Sequence, residues 1–347
     1  MAVITNQILQ DIATQVDRRN GILQKFINEF SPTSWLQVLA DVRAGKAKQR
    51  YAIGDELVGT YVYNGVTYDC PWVVLDNDRE CEWEDGTKHP GLWIGMKYCT
   101  PEDIQFDAKE GVEATEETAQ DGVYYCGYNG STYTMLNLSP GETIPYGSYT
   151  TVYKGAINHK DVYQYGYNRY RDSGIRQWLN SAAPVGEWWE STHLGDNAPS
   201  QLESRPGFMA GLGSDFLSAI QKVKYKVSSN TVTDGGVTDT LCDKFFLQSL
   251  EEVYGSPQVS DVEGPYFPYW KIITGLDEPS NGSSSDTNNA RKIKRVNSPT
   301  GSAAHVRLRS ANRDASSYAW YVASSGYLYG NNTAYNSYAA LPACVIS

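Results

Sequence analysis

Most of the chain is a succession of short β-prone runs, each ended by glycine, asparagine or aspartate. The clearest case is Asn64-Gly65, which lies between the runs 61–63 and 66–68. This dipeptide readily adopts the left-handed backbone of a two-residue turn, so the two runs predict a hairpin. Two further strands are predicted at 72–75 and 92–96. Short strands joined by tight turns are typical of antiparallel sheets.

The residues before Tyr51 predict helices instead. A first helix is indicated by apolar residues at three- and four-residue steps, and it is weakened at Asn20-Gly21. A second, short helix ends at Gly45, a residue suited to the left-handed position after a helix. We predict that 1–45 is a helical arm for docking or oligomerisation, or else a segment that packs on its own domain. The apolar positions are Ile8, Leu9, Ile12, Val16, Leu23, Phe26, Ile27 and Phe30 in the first helix, and Trp35, Leu36, Leu39 and Val42 in the second.

Three predicted helices interrupt the β-rich part, which we take as one domain over 46–347. They lie at 173–180, 215–223 and 243–254, each with apolar residues on one face. The stretch 106–160 is acidic and then rich in glycine and tyrosine, which indicates strands with long loops. Strands, a few helices and strands again favour an α+β fold with irregular antiparallel strands over a parallel-sheet enzyme.

The charge of the chain argues against several classes of partner. A formal net charge of −11 disfavours nucleic acid, because phosphate contacts need clustered lysine and arginine. The single basic run, 291–295, is too short to line a groove. No stretch approaches the roughly eighteen apolar residues of a membrane span, and no secretion signal is visible. We therefore expect that the protein is made in a cytoplasm and does not insert into a membrane.

Residues able to carry chemistry are scattered along the chain. The six cysteines lack the paired spacing of a zinc site, so free and mostly buried thiols are expected, with disulfides as the alternative. None of the four histidines stands at metal-ligand spacing from another. The acidic cluster Glu80, Glu82, Glu84 and Asp85 suits either a calcium ion or, as we favour, a solvated face. We predict no catalytic residues, no metal, no cofactor and no enzymatic activity.

The last part of the chain combines two sets of residues. One set is a restricted alphabet of tyrosine, serine, asparagine, aspartate, glycine and alanine, which resembles the composition of an antibody paratope. The other set consists of apolar anchors that alternate with this alphabet: Val306, Leu308, Ala311, Ala319, Trp320, Val322, Leu328, Ala343 and Val345.

Five residue types are depleted in the same segment. Lysine, glutamate, glutamine and methionine are absent after Lys294, and Trp320 is the only tryptophan. By composition, about eight such residues would be expected in 305–347. These five are the types that a codon with two free bases and a final C cannot encode. An AAC codon randomised at its adenines would produce this spectrum, although a Ser/Tyr/Asn-rich loop without such a history is the alternative.

Several motifs occur in a specific order upstream of and within this segment. A Ser-x-Ile-Arg-x-Trp-Leu-Asn helix (173–180) follows strand residues at 53–55 and 72–76, and a Phe-Phe-Leu-x-Ser-x-Glu-Glu-Val motif (245–253) follows it. Leu-Arg-Ser-Ala (308–311) and a Pro-Ala pair close the chain. Over about 51–347 these motifs resemble a domain family of unknown function common in gut bacteria and their phages. The terminal segment resembles the variable region of diversity-generating retroelement target proteins, into which reverse transcription miscopies template adenines.

This resemblance implies a C-type-lectin fold of the formylglycine-generating-enzyme kind. The cassette, about 304–347, would supply strands and loops of one exposed binding face. The fold has oxidase relatives that use a pair of reactive cysteines, whereas Cys344 has no partner nearby in sequence and is expected to be a buried structural thiol. The loop that binds calcium in sugar-binding lectins of this fold is missing from the cassette.

We therefore hypothesise a receptor-recognition protein, such as a phage tail-tip adhesin carried on the virion or a host-encoded relative. Its partner would be a protein or glycan on a bacterial surface, and homo-oligomers could form through the N-terminal helices. An enzyme of the same fold and a structural virion component are the alternatives. The side chains predicted to meet the ligand are His305, Arg307, Asp314, Ser317, Tyr318, Tyr321, Ala323, Tyr327, Tyr329, Asn332, Tyr335, Asn336, Tyr338 and Ala340.

Overall fold

In the described part of the chain, seven short helices lie among a larger number of strands. The computed structural model describes residues 34–255, 262–275, 291–295 and 301–347. The helices within these ranges are α1 (Trp35–Arg43), α2 (Ala47–Arg50), α3 (Lys160–Tyr165), α4 (Gly174–Leu179), α5 (Ser214–Ala219), α6 (Leu250–Tyr254) and α7 (Pro268–Thr274), with 3-10 turns at Tyr146–Ser148, Tyr170–Asp172 and Phe208–Gly211.

The strands are two to six residues long, and together with the helices they confirm the predicted α+β class. In chain order they are β1 (Glu56–Leu57), β2 (Thr60–Tyr63), β3 (Val66–Asp69), β4 (Trp72–Asp76), β5 (Glu80–Glu82), β6 (Lys88–Pro90), β7 (Leu92–Met96), β8 (Asp103–Gln105), β9 (Val112–Glu113), β10 (Tyr124–Tyr128), β11 (Tyr133–Leu136), β12 (Thr151–Gly155), β13 (Ile220–Gln221), β14 (Val223–Ser228), β15 (Thr238–Asp243), β16 (Phe245–Leu247), β17 (Val306–Ala311), β18 (Tyr318–Val322), β19 (Leu328–Thr333), β20 (Ser337–Ala340) and β21 (Pro342–Ile346).

The principal sheet has the order β1-β4-β7-β21, and β13 and β16 share the far edge of β21. Every residue of β7 and of β21 is buried, so both strands read as continuous apolar runs. Helices α1, α4, α5, α6 and α7 pack their apolar residues into the same core. The last strand, β21, is therefore an interior strand of the principal sheet.

Besides two-stranded ribbons, the described ranges contain two further sheets. The cassette sheet has the order β19-β18-β17-β20-β8, with β17 and β20 parallel and the other neighbours antiparallel. A four-stranded sheet, β11-β10-β12-β9, is formed by the glycine- and tyrosine-rich region. It has a small apolar cluster on each face because neighbouring residues of β10, Tyr125 and Cys126, point to opposite sides.

Elements with strong local signals agree with the sequence predictions. The β2–β3 hairpin turns at Asn64 and Gly65, whose φ angles of 48° and 73° are those of the predicted left-handed turn. Strands β4 and β7 and helix α4 are also confirmed. Ser173 caps α4, with its side chain accepting from the amide of Arg176.

The predicted helix at 243–254 is wrong over its first half. Phe245, Phe246 and Leu247 form β16, which pairs with β21, and the helix begins only at Leu250. A capping box starts it there: the Ser249 hydroxyl accepts from the Glu252 amide, and the Glu252 carboxylate accepts from the Ser249 amide. The predicted helix at 215–223 is also shorter than expected, since Ile220 already belongs to β13.

The motifs that carry the family resemblance interlock around β16. The side chain of Asn180, at the end of α4, binds the backbone of Lys244 and Phe245 through three hydrogen bonds of 2.8–3.1 Å. Arg176 of the same helix forms a bidentate pair with Asp243 at 2.7 and 3.0 Å. These contacts join the Ser-x-Ile-Arg-x-Trp-Leu-Asn helix to the start of the Phe-Phe-Leu strand.

The second predicted N-terminal helix is confirmed as α1, and it packs on the principal core. Val38 and Val42 are buried, and the ring of Trp35 lies 4.4 Å from that of Phe216 in α5. Helix α1 thus follows the alternative in which this segment packs on its own domain. The first predicted helix of the arm lies outside the described residues.

Candidate functional site

Five aromatic side chains of the cassette meet on one side of its sheet. We call this group, His305, Tyr321, Tyr327, Tyr329 and Tyr338, the aromatic face. Tyr321 is its centre, with ring centroids 5.0 Å from Tyr338, 5.6 Å from Tyr329 and 5.6 Å from His305. Tyr327 packs edge-on against Tyr329 at 6.3 Å. All five belong to the predicted ligand-contacting set, so the structure brings this part of the prediction together.

Strand pairing explains why these rings converge. Tyr321 of β18 lies opposite Tyr329 of β19, so the two side chains point to the same side of the sheet. Tyr338 comes from β20, on the other side of β17. The exposure of the rings is graded: Tyr321 is only 9% exposed and forms the floor, whereas Tyr329 is 42% exposed at the rim. Burial, with Tyr338 nearby, raises the pKa of Tyr321 to about 12, so its phenol stays protonated at neutral pH.

Arg307 lies beneath the rings and is fully buried. Its guanidinium carbon is 4.7 Å from the centroid of Tyr338, and it donates to four backbone carbonyls of β18, β19 and the following turn. Burial lowers the pKa of Arg307 to about 10, which still leaves it charged at neutral pH. The sequence prediction that Arg307 contacts a ligand is corrected: the side chain holds the cassette backbone together.

Two asparagines form a polar rim beside the rings. The amide of Asn332 donates to the hydroxyl of Tyr338, and the amide of Asn336 donates to Asn332 at 3.0 Å. Both were predicted to contact the ligand, and the side chain of Asn336 is exposed. The rim therefore offers amide groups next to aromatic surface, a combination typical of recognition sites.

The remaining predicted residues fall into two groups. Ser317, Ala323 and Ala340 are buried, so the expectation that they reach the binding surface is corrected. Their place in the fold gives the reason: Ala340 bonds through its backbone to Thr100, and Ser317 through its carbonyl to Ala334. Asp314 is exposed and Tyr318 half-buried near the β17–β18 turn, and Tyr335 is exposed on the β19–β20 turn, away from the ring cluster.

The predicted scaffold positions lie mostly on the core side. Val306, Leu308, Val322 and Val345 are buried, and Leu328 is half-buried against the core. Trp320 is also half-buried and packs on Gly330, where an added Cβ would approach its ring to 2.7 Å.

A buried salt bridge fixes β17 to the core. The carboxylate of Glu252 in α6 binds Arg309 at 2.6 Å, with both side chains fully buried. Arg309 also donates to the carbonyls of Leu247 and Glu263, at 2.7 and 2.5 Å. All six residues of β17 are buried, so the first strand of the cassette is scaffold throughout.

An acid–histidine pair near the β19–β20 turn, with Glu110 buried and His193 half-buried, was missed by the sequence analysis. Glu110 and His193 lie 3.1 Å apart, and the backbone amide of nearby Asp107 donates to Ala334 in the turn. Burial raises the pKa of Glu110 to about 7, although the hydrogen bond from His193 acts to lower it. Burial alone would lower the pKa of His193, but the Glu110 contact more than offsets this, and its pKa is raised. The two residues are too far apart in sequence for any spacing to reveal the pair.

The thiols lie apart from the aromatic face. All six are unpaired; Cys242 is half-buried and the other five are buried. Cys344 lies in the middle of β21, and burial raises its pKa well above the ordinary value, as it raises the pKa of Cys70 to about 12. Neither thiol is therefore placed or ionised for surface chemistry.

The described part of the chain contains no group of three or more histidine, cysteine or acidic side chains arranged to hold a metal ion. In the acidic cluster, Glu82 pairs with Lys224 at 3.0 Å and Asp85 accepts from the Thr87 hydroxyl at 2.6 Å. No helix within the described ranges has the length and apolar character that crossing a membrane requires.

A family model described as a domain of unknown function, DUF6273, matches residues 148–347. The chain belongs to this family. The DUF6273 match covers more than half of the chain and includes β12 to β21, and with them the whole aromatic face. No curated protein and no solved structure matches the chain. The family description names no activity.

Proposed function

We propose that the protein is a ligand-binding protein that recognises a protein or glycan on a bacterial surface through the aromatic face. The observation that carries this proposal is the convergence of five cassette aromatics on one side of a sheet whose buried anchors face the core. Clustered tyrosines give large contact area at a small entropic cost, and such residues dominate binding energy at interfaces.

Side chains from outside the cassette hold much of its backbone, which supports a cassette with exchangeable residues. The amide of Asn168 donates to the carbonyls of residues 312, 315 and 318 at 3.2, 2.6 and 2.7 Å. The amide of Gln105 donates to the carbonyl of Tyr335 at 2.9 Å. Because these bonds end on backbone atoms, exposed cassette side chains can change without altering the path of the chain.

On this basis we propose that the domain is a C-type-lectin-like fold and that a diversity-generating retroelement varies the cassette. If a phage encodes the protein, it would be carried at the tail tip of the virion, where several copies would raise the apparent affinity. The proposed role of the N-terminal helices in oligomerisation rests on residues outside the described ranges, apart from α1.

The proposed diversification by a retroelement is tested in the DNA beside the gene. We expect a near-identical repeat of the cassette, next to a reverse-transcriptase gene, that differs from it at adenines of the repeat. A neighbourhood with neither feature would remove the diversification claim and leave the binding claim standing on geometry alone.

The binding arm is tested with fluorescently labelled protein on a panel of bacterial cells. The double variant Tyr327→Ser/Tyr329→Ser should lose at least tenfold in cell binding, because it removes the rim of the aromatic face. Tyr124→Ser is the matched control, since Tyr124 is 40% exposed but lies on β10, outside the cassette. Equal binding by the double variant and the control would contradict the proposal.

The alternative of an enzyme on the same fold would need converging reactive groups in a cleft. The buried, strongly protonated thiols of Cys70 and Cys344 favour the binding hypothesis over an oxidase. The alternative of a structural virion component would leave the aromatic face covered by a neighbouring subunit, and the cell-binding comparison separates it from ours.

A further inference from the structure

A groove runs beside the aromatic face, between the β10–β11 hairpin and the β19–β20 turn. We call it the lateral groove. Its volume is about 450 Å³, within the range of roughly 300–1,000 Å³ that is typical of small-molecule sites. Tyr128 and Tyr133 line one wall, Tyr335 and Asn336 line the other, and Lys109 and Gln164 lie between them. We propose that this groove binds a sugar that carries a carboxylate.

The hairpin wall is held rigidly. Tyr128 and Tyr133 are cross-strand partners with ring centroids 4.6 Å apart, and Tyr153 continues the row at 6.2 Å from Tyr133. The turn between the strands is closed by the Asn129 side chain, which accepts from the amides of residues 131 and 132 at 3.0 and 2.9 Å. The aromatic wall is therefore preformed, which lowers the entropic cost of binding.

The opposite wall belongs to the cassette, but residues outside the cassette hold it in position. The amide of Tyr335 donates to the carbonyl of Tyr165 in α3 at 2.9 Å, and its carbonyl accepts from Gln105 at 2.9 Å. Both backbone groups of Tyr335 are thereby fixed, while its side chain stays 42% exposed. The groove thus has one wall that the cassette can vary and one that it cannot.

The polar groups of the groove are available to a ligand. Within the described part of the chain, the ammonium of Lys109 has no carboxylate partner, and its one close contact is with the ring of Tyr335, at 4.7 Å from the centroid. The side-chain amide of Gln164 likewise forms no hydrogen bond there. Among the described residues, no aspartate or glutamate lines the groove, although the chain carries 40 acidic residues.

This combination matches the chemistry of an acidic sugar. A pyranose presents a C–H face that packs on an aromatic ring and a rim of hydroxyls that need amide and hydroxyl partners. The ammonium of Lys109, in a groove that no carboxylate of the described ranges lines, selects for a negative charge on that sugar. The inference rests on the proposed function, because Tyr335 and Asn336 belong to the cassette, and it deepens that function by naming the ligand class.

The test is binding to an array of immobilised glycans that contains uronate and sialate oligosaccharides together with neutral counterparts of matched length. We expect at least one acidic member to bind at least tenfold more tightly than its neutral counterpart. Lys109→Met and Tyr133→Ala should each reduce that binding at least tenfold, and Lys109→Arg should retain it. Thermal unfolding of each variant checks that the fold is intact.

A Tyr329→Ser variant separates this inference from the proposed function, because Tyr329 lies outside the groove. Acidic-glycan binding that survives Tyr329→Ser but not Lys109→Met supports the groove. Binding to no acidic member, or equal binding to the neutral counterpart, overturns the inference even if cell binding still requires Tyr329. Conversely, glycan binding that depends on Lys109 without any cassette-dependent cell binding would leave the groove standing and remove the proposed function.

Discussion

Replacing Arg307 by methionine should loosen the cassette sheet without touching its surface. Methionine fills a similar space in the core but has no N–H donors. The change removes hydrogen bonds to the carbonyls of Ala319, Asn332, Thr333 and Asn336, at 3.1, 3.4, 3.0 and 3.1 Å. These acceptors belong to β18, to β19 and to the turn before β20, so one side chain ties three segments together.

The magnitude follows from two opposing contributions. Three of the bonds are 3.1 Å or shorter, and charge-assisted bonds contribute about 1.5–3 kcal/mol each, so their loss costs about 6 kcal/mol. Against this, burial lowers the pKa of Arg307 to about 10, which corresponds to about 3 kcal/mol of unfavourable burial that methionine avoids. We expect Arg307→Met to lower the free energy of unfolding by about 3 kcal/mol.

Urea unfolding followed by tryptophan fluorescence measures this change, with an unchanged m-value as the check that the same surface unfolds. Hydrogen exchange should quicken at residues 333–336. Arg307→Lys is expected to behave like the methionine variant, since an ammonium cannot reach carbonyls on three segments. A stability within about 0.5 kcal/mol of the parent protein, together with lost ligand binding, would refute this reasoning and restore Arg307 as a contact residue.

Three other perturbations test different parts of the structure. Glu252→Gln should lower the free energy of unfolding, measured with urea, by about 3 kcal/mol, because it leaves the buried Arg309 without its carboxylate partner. Burial raises the pKa of Glu110 to about 7, so the stability that comes from keeping it protonated is present below about pH 4.5 and is lost as the pH rises through 7. The free energy of unfolding should therefore fall by at most about 3 kcal/mol between pH 5 and pH 8, and the melting temperature should fall with it. Glu110→Gln should reduce this pH dependence, and an equal pH dependence in the variant would contradict the role given to Glu110. Gly330→Ala should lower the free energy of unfolding by about 1–3 kcal/mol and shift the fluorescence emission of Trp320. Gly147→Ala should change neither the stability nor the emission, because an added Cβ there meets nothing within 4 Å.

How much of the fold could be predicted depended on whether its determinants were local. The Asn64-Gly65 hairpin and helix α4, capped by Ser173, were predictable because a turn dipeptide and an N-cap act over a few residues. The Phe245–Leu247 strand was not, because a short apolar run becomes a strand only through its pairing with β21, about a hundred residues later.

The same distinction applies to the site. The aromatic residues were predictable as a group because composition marks them. The burial of Arg307 was not predictable, because a strand sequence does not show which polar side chains point inward to hold backbone carbonyls. The lateral groove depends on Lys109 and Tyr133, which lie about two hundred residues before Tyr335 and outside the compositionally distinct segment 305–347.

The two arginines of β17 hold different parts of the cassette. Arg309 points toward α6 and joins the strand to the core, whereas Arg307 points under the aromatic face and joins the neighbouring segments to the strand. A strand that is buried along its whole length offers no exposed position for exchange, so the variation that we propose would be confined to β18, β19, β20 and their turns. There the backbone is held by Arg307 from below and by Asn168 and Gln105 from outside. The proposed surface, whose side chains would vary while its backbone stays fixed, would therefore depend on where these buried donors point, and not on the variable residues themselves.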